Sequence, residues 1–230
     1  MKEKIVLLLF LPFALMGQDY VVDEIFEPDN FSAKITEVSP KNRVIYSWGW
    51  NMNNDQSDLI KEFQSNYFDV RYQYNITLTK KLYLNIGFGY NWSAYQLNND
   101  SSTLYIDSVF HEKRKLRFQN MSGMLGIRFQ GGQFLNKAVF FEANLYGDLL
   151  ARSIYLTRGM VDGMNYKNKI SKLNFIDKYQ HGFEFRIGYK NICFFSKTRI
   201  SMLVNNRTQG VELPKVTFGF QIDIPASGDI

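Results

Sequence analysis

The sequence predicts an all-β fold, an eight-stranded antiparallel up-and-down barrel with long connections at one end and short turns at the other. Three observations predict it. Apolar and polar residues alternate with period two over segments longer than an ordinary half-buried strand. Eight such segments follow one another, and the connections between them alternate in length. Aromatics make up 16% of the 230 residues and 16 glycines stand against 5 prolines, a composition that suits strands and excludes collagen, coiled coil and disorder.

The clearest segment is 82–94. Leu82, Leu84, Ile86, Phe88, Tyr90, Trp92 and Ala94 share one face, and Tyr83, Asn85, Gly87, Gly89, Asn91 and Ser93 the other. Residues 68–78 repeat the pattern, with Phe68, Val70, Tyr72, Tyr74, Ile76 and Leu78 opposing Asp69, Arg71, Gln73, Asn75 and Thr77. Only Thr79–Lys81 separate the two, so they form a hairpin. Before them, Val44, Tyr46, Trp48 and Trp50 alternate with Ile45, Ser47, Gly49 and Asn51. After them come 121–129, 139–149, 182–189, 192–204 and 215–224. In 192–204 the phase is broken by Phe195 and Leu203. The long connections are 52–65, 96–115, 156–171 and 205–213. Within the first of them, residues 57–63 suit a helical turn with Ser57 as cap.

The chemistry of the two faces decides which is inside. A soluble sandwich or lipocalin-like barrel turns its large apolar face inward. Here the other face carries Gly, Asn and Ser with charges of both signs, which suits the narrow, side-chain-filled interior of an eight-stranded barrel. The expected interior charges are Asp69, Arg71, Arg128, Glu142, Asp148, Arg152, Glu184, Arg186, Lys197, Arg199, Lys215 and Asp223. The large face then meets lipid, and the chain is predicted to be a transmembrane barrel of an outer membrane. Trp48, Trp50, Tyr90 and Trp92 form the expected outer aromatic girdle, with Tyr189 and Phe129 on the inner one. After Gly17 no purely apolar run exceeds four residues, which excludes helical spans.

Lys2 and Lys4 precede the apolar run IVLLLFLPFALMG at 5–17, the order of a cleaved signal peptide. The expected organisation is signal peptide 1–17, periplasmic segment 18–42, barrel 43–224 and tail 225–230. Removing Lys2, Glu3 and Lys4 lowers the net charge from +5 to +4, too mild for a nucleic-acid partner.

Chemistry-bearing residues are few. The single cysteine, Cys193, excludes an internal disulfide framework and cysteine-rich zinc sites. HEKRK at 111–115 begins like an HExxH zinc helix but has Lys115 at the second histidine position. His181 is in phase with the lipid-facing Phe183 and Phe185, and His111 sits in a long connection beside Ser101, Ser102 and Ser108. HEKRKLR at 111–117 is a basic surface cluster. Inward carboxylates are expected to neutralise neighbouring Arg and Lys, since unpaired buried charge is costly. No catalytic residue, cofactor site or metal site is assigned. The apolar centre of the 96–115 connection, Leu104, Tyr105, Ile106, Val109 and Phe110, is the candidate partner-contact loop.

The stretch RISMLVNNRTQGVELPKVTFGFQIDI at 199–224 resembles the ending of Bacteroidota outer-membrane barrels of the PorT type, with a strand, a polar loop, then ELP and an alternating strand. Gln18 directly after the apolar run is similar to exported proteins of that phylum. The Ile-Pro-Leu pattern of a middle strand in that family is missing from 116–129. The resemblance implies an eight-stranded outer-membrane barrel without enzymatic residues. The His-x-Ser signature of lipid A deacylase barrels is absent, because Phe183 follows His181 by two.

The expected function is therefore a non-catalytic, structural or partner-binding envelope protein. Its expected partners are outer-membrane lipid, lipopolysaccharide and other envelope proteins. The alternatives are a lipid or ester hydrolase using loop residues around His111, and a narrow pore or lipid-binding barrel. Far-UV circular dichroism of the detergent-refolded chain should be strand-dominated, and unboiled protein should migrate differently from boiled protein on a gel. A mainly helical spectrum would contradict the barrel, because in lipid only a helix or closed strand pairing satisfies the backbone.

Overall fold

A computed structural model describes residues 42–52, 60–79, 81–98, 112–131, 139–161, 164–204 and 212–226. Their strands are β1 (Asn42–Met52), β2 (Asn66–Thr77), β3 (Leu82–Leu97), β4 (Lys113–Gln130), β5 (Val139–Val161), β6 (Met164–Ser171), β7 (Tyr179–Tyr189), β8 (Ile192–Arg199) and β9 (Val216–Pro225). Each strand pairs antiparallel with its neighbours, and β4 also pairs with β5, so the ring β1-β2-β3-β4-β5-β7-β8-β9 closes on itself. That is a closed eight-stranded antiparallel barrel. The ninth strand, β6, pairs along the outer half of β5, from Ile154↔Ser171 to Val161↔Met164. Segments 1–17, 18–41 and 227–230 of the expected organisation lie outside the described residues.

The seam between β9 and β1 runs from Arg43↔Pro225 to Met52↔Val216. Gly49 and Gly219 face each other across it. A Cβ on either would strike the opposite backbone, at the Phe218 carbonyl for Gly49 and at Trp48 for Gly219. This is a close approach that only glycine allows. At the other tight point, the two-residue turn Lys190–Asn191 between β7 and β8 holds Lys190 at φ 53.

The alternation seen in the sequence sorts side chains as expected along most strands. On β2 and β3, Asp69, Arg71, Gln73, Asn75, Asn85 and Asn91 are buried inside. Phe68, Tyr74, Ile86, Phe88 and Trp92 are exposed outside. Phe195, which breaks the phase in the sequence, fills the interior against Tyr67.

Towards the end where β6 lies, the pattern inverts. The inward side chains there are apolar: Tyr95, Leu97, Leu116, Phe118 and Tyr155 pack with Ile60, Leu173, Ile176, Leu203, Val204 and Leu213 into one buried cluster. The outward side chains of the same strands are polar or basic, including Gln96, Lys113, Lys115, Arg117 and Arg158. Leu203 thus breaks the strand phase because it belongs to this outer core.

Three expectations are corrected. First, 156–171 is not a loop: β5 continues to Val161 and returns as β6. Similarly, β3 and β4 stay paired out to Leu97↔Arg114, which shortens the 96–115 connection. Second, Arg152 is exposed on the outside. The register slips between Gln119 and Asn120, so one extra residue in β5, Ala151, moves every later side chain to the opposite face. Third, the helical turn is a 3-10 turn at Glu62–Gln64, and Lys61 precedes it without a side-chain cap. Ile60 bridges Leu97 and is buried in the outer core, which holds the chain extended just before the turn. Ser57 lies outside the described residues.

The seam predicts an asymmetry among glycines. Gly219→Val should destabilise the refolded barrel by about 1–3 kcal/mol through overpacking. Gly147→Ala, where a Cβ meets nothing within 4 Å, should stay within about 0.5 kcal/mol. Urea unfolding followed by Trp fluorescence measures both.

Candidate functional site

Two clusters of charge stand out, one inside the barrel and one outside. The inner one is centred on Glu142, contributed by β5, whose carboxylate accepts from Arg43 of β1 at 3.1 Å, Arg128 of β4 at 3.0 Å and Arg186 of β7 at 2.9 Å. Arg43 also pairs with Asp223 on β9. Arg186 and Arg71 both pair with Glu184, and Arg71 reaches Asp69 at 2.8 Å. Nearer the outer end, Lys197 pairs with Asp148 at 2.9 Å and stacks over the Tyr146 ring at 3.8 Å. Arg199 holds Glu212 at 2.7 Å and the carbonyls of Leu213 and Pro214, beneath the outer apolar cluster.

All eight residues of the expected lumen network, Asp69, Arg71, Glu142, Asp148, Glu184, Arg186, Lys197 and Arg199, are buried inside. So are Arg128 and Asp223. Sequence reasoning missed Arg43, which extending the alternation one residue back from Val44 would have placed inside. Lys215 is half-buried just ahead of β9. Among the described residues, six cations (Arg43, Arg71, Arg128, Arg186, Lys197, Arg199) face six carboxylates (Asp69, Glu142, Asp148, Glu184, Asp223 and the half-buried Glu212), so these charges balance one another. Balance is required, because burying a charge unpaired costs several kcal/mol. The network fills the interior as a plug. The space beside Lys197, Tyr67 and Thr217 measures about 20 Å³, room for about one water.

Each interior carboxylate is tied to a guanidinium or ammonium group. Among the described residues, no three His, Cys, Asp or Glu side chains are grouped to hold a metal ion. Cys193 is buried near the inner turn with its thiol on Gln221. His181 is exposed on the outer face, opposite Gly147. His111, the three loop serines and the partner-contact candidates Leu104, Tyr105, Ile106, Val109 and Phe110 lie outside the described residues. Of the girdle set, Trp48 stacks on Trp50, Trp50 meets Phe218, Phe68 meets Trp92, and Tyr90 meets Trp92. They form an aromatic stripe across β9, β1, β2 and β3.

Among the described strand residues, the outer cluster is made of cations, with Glu112 just ahead of it. On the exposed face of the β4-β5-β6 extension, Lys113 opposes Arg158, which opposes Lys167. One row closer to the barrel, Lys115 and Lys169 flank Leu156. Arg117 and Arg152 follow on the next two rows. Partial burial, and after it the guanidinium of Arg117, holds the Lys115 ammonium below its ordinary range. No Asp or Glu occurs in 113–119, 150–161 or 164–171. The sequence marks 111–117 as a basic surface cluster, most of it within the 96–115 connection, and places Arg158, Lys167 and Lys169 in the 156–171 connection, so the array itself is not read from it.

No protein-family model matches the chain, and no curated protein matches it significantly.

The inner network predicts a steep cost for removing its hub. Glu142→Gln leaves three guanidinium groups facing a neutral amide. It should destabilise the barrel by about 3–5 kcal/mol, seen as a lower urea midpoint.

Proposed function

We propose that this protein is a non-catalytic integral barrel of a Gram-negative outer membrane, exported through a cleaved signal peptide, that acts through contacts with other envelope components. One observation carries the reading: the inversion of the two faces along single strands. On β3, the outward side chains are apolar from Leu82 to Trp92 and then give way to Gln96. Ten steps at about 3.4 Å make about 34 Å of strand, or about 26 Å of height at a tilt of about 40°. The apolar band of an outer-membrane barrel is about 25 Å tall. On β4 the change falls between Met121 and Arg117. A barrel in water would have no reason to expose an apolar belt of this height and then bury an apolar core just beyond it.

The paired, filled interior argues against an open pore. It also argues against interior acid–base chemistry, since every carboxylate already neutralises a cation. The aromatic stripe at the upper edge of the band and the likeness of 199–224 to PorT-type barrels support the same conclusion. The role then falls to surfaces beyond the band, and the apolar residues of 104–110 remain the proposed contact for an envelope partner.

Ile86, midway along the band, supplies the direct mutation. Ile86→Arg should cost about 2–4 kcal/mol in a bilayer, because a cation is forced to mid-membrane depth. A neutral Ile86→Arg in vesicle-reconstituted protein would reject the membrane reading. For the non-catalytic reading, a chain with both His111→Gln and His181→Gln should complement a deletion strain fully. Normal folding with lost complementation would favour a hydrolase.

A further inference from the structure

The outer face of the β4-β5-β6 extension has a feature the barrel itself does not need. Cations from three strands stand directly opposite one another, and cross-strand like charges in direct opposition are destabilising. Among the described residues of the three strands, the row Lys113–Arg158–Lys167 has only neutral or cationic neighbours on that face, Glu112 standing just outside β4. Inside the barrel the same chain balances its charges one for one, so the imbalance outside is not a general property of the sequence.

Its position narrows what can compensate it. The array begins at Arg152 and Arg117, the first outward positions beyond the apolar band on β5 and β4 apart from Gln119 and Ala151. Whatever lies there in a membrane is headgroup. Just below, the wall is dented. Gly123 and Gly147 are paired directly and both point outward, and Phe88, Met121, Leu149 and Tyr179 rim a furrow of about 520 Å³ there. Crowding does not dictate these glycines: a Cβ on Gly147 would meet nothing within 4 Å. Along one wall, then, an apolar furrow leads up to a set of cations.

We infer that this face binds a lipid of the surrounding leaflet whose headgroup is net-anionic through phosphate monoesters, with those phosphates on the Lys113–Arg158–Lys167 row and its neighbours and an acyl chain in the furrow. The inference rests on the membrane reading above. A lipid phosphate suits the array better than a carboxylate-bearing protein because Arg117 and Arg152 lie directly beyond the apolar band, at headgroup depth, where lipid phosphates already stand.

The test uses the full chain reconstituted in phosphatidylethanolamine vesicles containing diphosphorylated lipid A or its dephosphorylated form. Gel mobility without boiling reports insertion, and native mass spectrometry after detergent release reports lipid retained. Wild type should retain the phosphorylated lipid at least about tenfold better than the dephosphorylated one. The variant carrying Lys113→Gln, Arg158→Gln, Lys167→Gln and Lys169→Gln should insert normally and lose that preference. If it does not fold, the pair Lys113→Gln and Lys167→Gln should reduce the preference by several-fold. Gly147→Leu should reduce retention of both lipids and keep the preference. Equal retention of both lipids by inserted wild type would overturn the inference while leaving the membrane reading intact. Full displacement by millimolar inorganic phosphate would overturn it in favour of a free-anion site. Failure of wild type to insert would overturn the membrane reading, and the inference with it.

Discussion

Closing an eight-stranded sheet fixes almost everything else about this molecule. A ring of that size has no room for a water channel, so its interior must be filled by side chains, and any charge placed there must be matched. The filling is done by guanidinium groups reaching across the ring. Arg43 of β1 and Arg128 of β4 meet on Glu142 of β5, and Arg71 of β2 meets Glu184 of β7. The Arg43–Glu142 and Arg71–Glu184 pairs join strands that are not neighbours in the ring, so they hold the cross-section as well as neutralise it. The glycine pair at the β9–β1 seam serves the same closure from the backbone side.

Past the charged plug the problem changes, and so does the chemistry. The extension of β3, β4 and β5 buries Leu97, Leu116, Phe118 and Tyr155 against Leu173, Leu203 and Leu213, as a water-soluble β-protein would. The extra residue at Ala151 lies at the boundary. Without that slip, Ser153, Tyr155 and Thr157 would point outward, and Arg152 and Arg158 would point into the outer core. One inserted residue therefore lets one strand bury polar side chains on one side of it and apolar side chains on the other.

Much of this was legible in the sequence because period two is unambiguous over long strands. The β2–β3 hairpin and the interior Asp69, Arg71, Glu184 and Arg186 follow from alternation alone. The unread parts have identifiable causes. Arg43 stands at a strand end, where the pattern has too few residues to extend with conviction. A bulge has no local residue signature, so Arg152 was assigned by a phase that no longer applied. MNYKNKIS at 164–171 alternates only weakly, with Tyr166 and Ile170 on one side and polar residues almost everywhere else, because β6 leans on the barrel along a single face. The same weakness hid Lys167 and Lys169, and the array is visible only once the register brings three strands together.

In the proposed membrane setting, one strand passes from bilayer to water at the point where its faces exchange. Spin labels placed singly at Ile86, Leu125, Lys115 and Arg158 in vesicle-reconstituted protein test it through accessibility to oxygen and to a water-soluble nickel complex; buried Cys193 is replaced by Ser for labelling. Oxygen-dominated relaxation is expected at Ile86 and Leu125, and nickel-dominated relaxation at Lys115 and Arg158. Nickel-dominated relaxation at all four positions would contradict it.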